Sequence, residues 1–358
     1  MIKSLVVKGL HGKFDFDLNF NEDINIITGK NGSGKTTVLK IIWYILSGHT
    51  ELLSNELYFL YAKLSYSDHN VEVFRDVNNV NVNFDGKFSH GFNTIPLAYN
   101  SEFFQEGPLI SRWNTSSIFF PTFRRIEGGF GIKNSDRADQ RIPSAKTNLE
   151  KALFEISDEL NTINHYFITT ISTSDIRVLL RKEYYTRLES SDKIQKTANQ
   201  EIAEKLKLSG NTSNNGDNII NDLRLKMEGI ERKREELMLP FEALSNTVSH
   251  FFHTKGIEIS DNISFGEKTE LLSSDKLSAG EKQMLSFLSY NAFTKDAAIF
   301  IDEPELSLHV DWQRQLLPTL MEQGTKNQFF IATHSPFIYG MYPDKEIELI
   351  PNTQSVSI

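Results

Sequence analysis

Polar and apolar residues alternate strictly through Phe14-Asp15-Phe16-Asp17-Leu18-Asn19-Phe20, and Ser4-Leu5-Val6-Val7 just before it has the same strand character. A period of two places alternate side chains on one face of a sheet. Asn25-Ile26-Ile27-Thr28 is a short apolar run leading into glycine and predicts a buried strand. From Thr36 to Ser47 the period changes: Val38, Ile41, Ile42, Ile45 and Leu46 recur at helical spacing. Residues 57–100 return to alternation, from Tyr58 to Tyr66 and from Val71 to Phe84, with Asp85-Gly86 as a turn, and predict antiparallel hairpins.

A different texture begins near Pro143. Leu149, Leu153, Ile156, Leu160, Ile163 and Phe167 follow a 4-3-4-3-4 spacing, which predicts a packed amphipathic helix running to Phe167. More helix is expected from Asp175 to Leu208, and a returning helix from Ile219 to Phe252, interrupted or kinked at Pro240. Between them, Ser209 to Asp217 breaks every pattern and reads as an exposed turn. Strand and helix patterns mix again over 257–358. The expectation is an α/β fold: a head lobe over 1–144, a helical, coiled-coil-like insertion over 145–253, and a second head lobe over 254–358.

Composition narrows the function. The chain has no cysteine, which excludes disulfides and thiolate metal sites. No apolar run reaches the roughly 18 residues of a membrane span, and the opening Met1-Ile2-Lys3-Ser4 turns polar too soon for a signal peptide, so a cytoplasmic protein without membrane association is expected. A net charge of −9 works against a protein built to grip phosphate backbones. Arg177, Arg181, Lys182 and Arg187, and the run Arg232-Lys233-Arg234, read as solvated helix faces, so direct nucleic-acid binding is not indicated by charge.

Gly29-Lys30-Asn31-Gly32-Ser33-Gly34-Lys35-Thr36 fits the phosphate-loop pattern G-x-x-x-x-G-K-S/T and sits between a strand and a helix. Glycines let backbone N–H groups curl around phosphates, and the helix N-terminus adds partial positive charge. Gly29 to Thr36, with Thr37, are the candidate ATP-binding residues: Lys35 for the β- and γ-phosphates, and the Thr36 hydroxyl for Mg²⁺. Farther on, Ala297-Ala298-Ile299-Phe300-Ile301 is a continuous apolar run ending in Asp302-Glu303. Such a run suits a strand covered on both faces, and ligands in open α/β sheets bind beyond the carboxyl ends of the strands. Asp302 is the candidate Mg²⁺ partner and Glu303 the candidate general base; a helix cap is the plainer use of such a pair.

Leu277-Ser278-Ala279-Gly280-Glu281-Lys282-Gln283 precedes that strand. Alone, a serine before a helix is an N-cap; together with the loop and the acids it resembles the LSGGQ-type signature of ABC ATPases. The resemblance implies that Ser278 and Gly280 meet the γ-phosphate held by a partner subunit, so that ATP lies between head-to-tail copies. Glu305-Leu306-Ser307-Leu308-His309 sits where that family has its D-loop, and His334, after Phe329-Phe330-Ile331-Ala332-Thr333, is similar to its switch histidine, which with Lys35 and Glu303 completes the implied catalytic set. Gln105 is the candidate Q-loop glutamine and further Mg²⁺ ligand.

Asp302-Glu303-Pro304-Glu305-Leu306-Ser307-Leu308-His309 resembles the branch of RecF, SMC-type and overcoming-lysogenisation-defect ATPases. Phe119-Phe120-Pro121-Thr122-Phe123-Arg124-Arg125-Ile126-Glu127-Gly128-Gly129-Phe130 is similar to ATPase subunits of PARIS-type and Septu-type anti-phage systems, though a buried aromatic strand followed by a turn is its plainer reading. Those families imply ATP and Mg²⁺, a homodimer or larger homo-oligomer, and a separate effector, a Toprim-like nuclease. Glu346 and Glu348 alternate with Ile347 and Leu349 and read as a polar strand face rather than a nuclease cluster. A defence ATPase, a RecF-like DNA clamp and a nucleotide-gated scaffold all remain open at this point.

Overall fold

The computed structural model describes residues 1–75, 79–86, 90–96, 115–122, 125–126, 148–171, 173–209, 216–252, 277–350 and 352–353. β1 (Ile2–Leu10) and β2 (Phe14–Asn19) pair antiparallel, with Leu5 opposite Leu18 and Val7 opposite Phe16. β3 (Ile24–Thr28) has all five residues buried and leads through the glycine loop into α1 (Lys35–Ser47) and the short α2 (Thr50–Glu56). β4 (Tyr61–Tyr66), β5 (His69–Arg75), β6 (Asn79–Gly86) and β7 (His90–Pro96) continue from β1 as an antiparallel meander.

The expected turn at Asp85-Gly86 is corrected: both residues end β6, where Gly86 pairs with His69 and Asp85 with Asn70. The alternating stretch from Val71 to Phe84 is two strands. In register, Val71 pairs with Phe84 and Val73 with Val82, so the alternation carries through the reversal.

β8 (Ser117–Phe120), the two-residue β9 (Arg125–Ile126), α3 (Asn148–Leu160), β10 (His165–Phe167) and β11 (Thr170–Ile171) come next. The helix expected to reach Phe167 stops at Leu160. The Asn161 side chain accepts the Phe167 N–H at 2.6 Å, Asn164 takes a left-handed φ of 67°, and the chain folds back into β10. Asparagine tolerates that backbone region, which is why the reversal falls there. Ile163, read as a buried helical position, is 81% exposed.

α4 (Thr173–Ser209) and α5 (Gly216–Phe252) are each 37 residues long, and α5 continues through Pro240 without a break in helix. The turn between them falls largely outside the described residues. The two helices are joined along their length by Lys226 with Glu201 and by Arg234 Nε donating to Ser191 Oγ at 3.0 Å. Their base rests on α6 (Ala279–Phe293), with the Phe241 and Phe293 rings 4.7 Å apart. β12 (Ala298–Asp302), α7 (Val310–Glu322), β13 (Gln328–Ala332), α8 (Pro336–Tyr339), β14 (Glu346–Glu348) and β15 (Asn352–Thr353) complete the described chain.

Two main sheets result. The antiparallel one runs β15-β2-β1-β4-β5-β6-β7; the other, fully parallel, runs β10-β8-β12-β13-β3-β14. Both faces of the parallel sheet are covered. Phe119, Phe300, Phe330 and Ala332 pack into one core with α1 and the antiparallel sheet, while Ile118, Phe120, Ile299, Ile301, Phe329 and Ile331 pack into a second with α4 to α8. This explains why these strands read as continuous apolar runs. α1 is walled in on both sides: Trp43 is fully buried, with its ring 5.7 Å from that of Phe119 and 5.2 Å from that of Phe167. Each large side chain buried this way contributes about 1.5–3 kcal/mol. The helix that starts at Lys35 is therefore fixed against the strands carrying the acids. On β14 the two glutamates are exposed, as their alternation implied.

Candidate functional site

The loop after β3 bends through glycines in the left-handed region: Gly29 at φ 138°, Gly32 at 78° and Gly34 at 96°. Gly29 is confined as well, since a Cβ there would meet Ser33 Oγ at 2.8 Å and the Leu349 carbonyl oxygen at 3.1 Å. Lys35 turns back across the loop, its Nζ donating to the carbonyls of Gly29 at 3.1 Å and Lys30 at 3.3 Å. Burial pulls the Lys35 ammonium below the usual lysine range, opposed by the charges of Glu303, Asp302 and Glu305.

Asp302 ends β12 and is 1% exposed. Thr36 Oγ1 donates to it at 2.9 Å, and Thr122 Oγ1 donates to the same carboxylate oxygen. Thr36 and Asp302 are 266 positions apart, and the packing of α1 on β12 and β13 brings them together. Thr122 was not among the expected site residues; its signal was its place just past a buried strand in the sheet that carries Asp302. Gln105 lies outside the described residues.

Glu303 follows with φ 48°, in the left-handed region that costs a side-chain-bearing residue on the order of 1–3 kcal/mol. Its N–H donates to the Ala332 carbonyl at 2.8 Å, tying it to the end of β13. His334, just beyond β13, is exposed, and its N–H is held by Glu305 Oε1 at 2.7 Å. Thr333 Oγ1 donates to the other Glu305 oxygen at 2.8 Å. Glu305 was expected only as part of a loop; no periodicity in the sequence points to this partner.

Ser278 caps α6 in a reciprocal capping box with Glu281: Glu281 N donates to Ser278 Oγ at 3.3 Å and Ser278 N to Glu281 Oε2 at 2.7 Å. Gly280, the second residue of α6, packs directly on the Ser307 backbone. Gln283 is buried and donates to the Pro304 carbonyl at 2.7 Å. The α6 N-terminus therefore leans on the segment that follows Asp302-Glu303.

The donor set suits a nucleotide with Mg²⁺. Ser33 Oγ, inside the phosphate loop, is buried without a hydrogen-bond partner, a state that a phosphate oxygen would relieve. Thr36 and Asp302 offer two hard oxygen donors, the number a magnesium ion takes from protein when phosphates and waters supply the rest. Among the described residues no group of three or more His, Cys, Asp or Glu is placed to hold a metal on its own.

Residues 24–339 match the family described as "AAA domain, putative AbiEii toxin, Type IV TA system". The chain belongs to this AAA-domain family. Among curated proteins, this AAA domain is 24% identical to the Retron Vc95 probable ATPase of Vibrio cholerae serotype O1 biovar El Tor, over 92% of this chain and 69% of that protein. A local match to Septu protein PtuA of Bacillus thuringiensis is 47% identical over 47 residues, 13% of this chain and 12% of that one. Among solved structures, the recombination mediator protein RecF-ATP in the RecFOR pathway covers 94% of each chain at 14% identity, with a TM-score of 0.38. Among the described residues, no helix of this AAA domain is long and apolar enough to cross a membrane.

Proposed function

We propose that this AAA domain binds ATP at Gly29 to Thr37 and hydrolyses it in the ABC manner, between head-to-tail copies. The observation that supports this best is the buried Asp302 bonded to Thr36, with Glu303 next to it on a backbone turned out of the strand. Backbone N–H groups of the loop hold the phosphates, and Lys35 exchanges its carbonyl partners for β- and γ-phosphate oxygens. Thr36 and Asp302 would hold Mg²⁺, which would supply neutralisation of the phosphate charge. Glu303 takes a proton from the attacking water as that oxygen bonds to the γ-phosphorus and the β–γ bridge breaks, leaving ADP and phosphate. His334 stands beyond β13, beside the strand that carries these acids, and contributes a donor to the γ-phosphate. Ser278 and the α6 N-terminus supply anion-binding geometry to the nucleotide of a second copy.

The same reading assigns ATP-driven assembly to the control of a separate effector, a nuclease of Toprim-like type, in anti-phage defence. Its support is the likeness to a retron ATPase and to a Septu protein. The lobe of α4 and α5 rests on α6, the helix that Ser278 caps, which offers a route from nucleotide to lobe. The test is steady-state ATP turnover by the purified chain with Mg²⁺, read beside light scattering with and without ATP. Turnover lost in Lys35→Ala, with ATP-dependent growth in mass for the wild type, is expected. A monomer that hydrolyses ATP at a rate independent of protein concentration would sink the head-to-tail arrangement. Co-expression with a neighbouring nuclease gene, followed by phage challenge, tests the effector.

A further inference from the structure

The segment from Glu303 to Leu308 is held at more points than a strand end requires. Gln283 donates to the Pro304 carbonyl, Gln313 Nε2 donates to the Leu308 carbonyl at 2.8 Å, and Gln313 Oε1 accepts the Ser335 hydroxyl at 2.5 Å. In the middle, Glu305 reaches out of its own loop. One oxygen accepts the Thr333 hydroxyl and the other the His334 N–H, across 28 and 29 positions of sequence. Thr333 Oγ1 in turn accepts the Ser335 N–H at 2.9 Å, so the carboxylate organises the whole turn that presents His334. Thr333 is fully buried while His334 is exposed, so the anchored end lies inside and the imidazole outside.

We propose that Glu305 is a positioning residue for hydrolysis: it fixes the backbone from which His334 projects and locks that turn to the segment carrying Glu303. This rests on the reading of His334 as a γ-phosphate donor. Hydrogen bonds to an ionised acceptor are the stronger kind, and losing this one strands two donors at once. Each Glu305 oxygen receives a hydrogen bond from the turn, which suits an anchor rather than a base aimed at water.

Glu305→Ala and Glu305→Gln in the full chain separate the roles. A glutamine amide can accept the His334 N–H and donate to the Thr333 hydroxyl, which has lone pairs to receive it. Glu305→Ala should lower kcat about 10- to 100-fold, with the Kd for ATP within about threefold, and Glu305→Gln should recover kcat to within about fivefold of wild type. Equal loss of kcat in both variants would make Glu305 a proton-transfer group and overturn the proposal. Parallel loss of ATP affinity in both would reduce it to a folding contact and overturn it too. Hydrogen exchange at the His334 and Ser335 amides is read independently of turnover: slow in wild type and Glu305→Gln, at least about tenfold faster in Glu305→Ala. Wild-type amides exchanging without protection would overturn the clamp even with hydrolysis intact. A wild-type chain that hydrolyses no ATP yet keeps this exchange pattern would sink the hydrolytic reading while the clamp stands.

Discussion

Gly280 lies so close to Ser307 that a Cβ on the glycine would overlap the Ser307 carbonyl oxygen. Ser307 itself sits at φ 102°, a backbone region that side-chain-bearing residues rarely adopt. The start of α6 and the loop after Glu303 are therefore fitted to one another through backbone.

Gly280→Ala should force that contact apart. Overpacking of this kind costs about 1–3 kcal/mol, visible as a lower denaturation midpoint. ATP affinity should stay within about twofold, because the phosphate loop is untouched, while turnover drops as the loop carrying Glu303 shifts. A variant with wild-type stability and turnover would show that the approach is not tight.

Glu303→Gln should keep ATP binding and lose turnover by about 10²- to 10⁴-fold, since an amide cannot take the proton of the attacking water. ATP retained at the interface should then hold copies together by mass action. Light scattering with ATP reads this, and a variant hydrolysing at the wild-type rate removes Glu303 as the base.

Ser278→Arg should leave each chain able to bind ATP and abolish turnover, because the larger side chain blocks a partner's γ-phosphate from the α6 N-terminus. Mixed with Lys35→Ala, it should regain partial activity, since one interface of the mixed dimer has an intact loop and an intact serine. Proven mixed dimers without any turnover count against sites shared between copies.

Acid should weaken the fold through His165. It is 3% exposed, and its Nδ1 lies 2.8 Å from Ser117 Oγ on β8. Burial, helped by nearby His49, pushes its pKa down to about 4 from 6.5. Above pH 6.5 the ring is neutral folded or unfolded, and stability is complete. As pH falls from 6.5 towards 4 the unfolded chain takes up a proton that the folded one refuses, which removes about 3 kcal/mol in total. His165→Asn should flatten the difference in urea midpoint between pH 7 and pH 5 relative to wild type. An unchanged difference would mean that other groups set the acid response.

The phosphate loop was legible in the sequence because its eight residues are contiguous and the strand and helix flanking it have their own periods. The arrival of Asp302 beside that loop was legible too, through the rule that ligands meet the carboxyl ends of parallel strands, while its hydrogen bond to Thr36 was not. The helix expected to reach Phe167 shows the opposite case. Ile163 and Phe167 kept helical spacing by coincidence, while two asparagines already supplied a turn and its hydrogen bond. Glu305 was hidden for another reason: hydropathy patterns assign a face, not a partner, and both of its partners lie one strand away.

The two helices of the lobe, at 37 residues each, are about 55 Å long at 1.5 Å per residue. Their base leans on α6, whose opposite end is the capped Ser278. Such an arm amplifies angle into distance: a tilt of only about 5° at the base sweeps the far end by about 5 Å. A sub-ångström adjustment at α6 would thereby become a displacement comparable to the width of a side chain at the far end of the lobe.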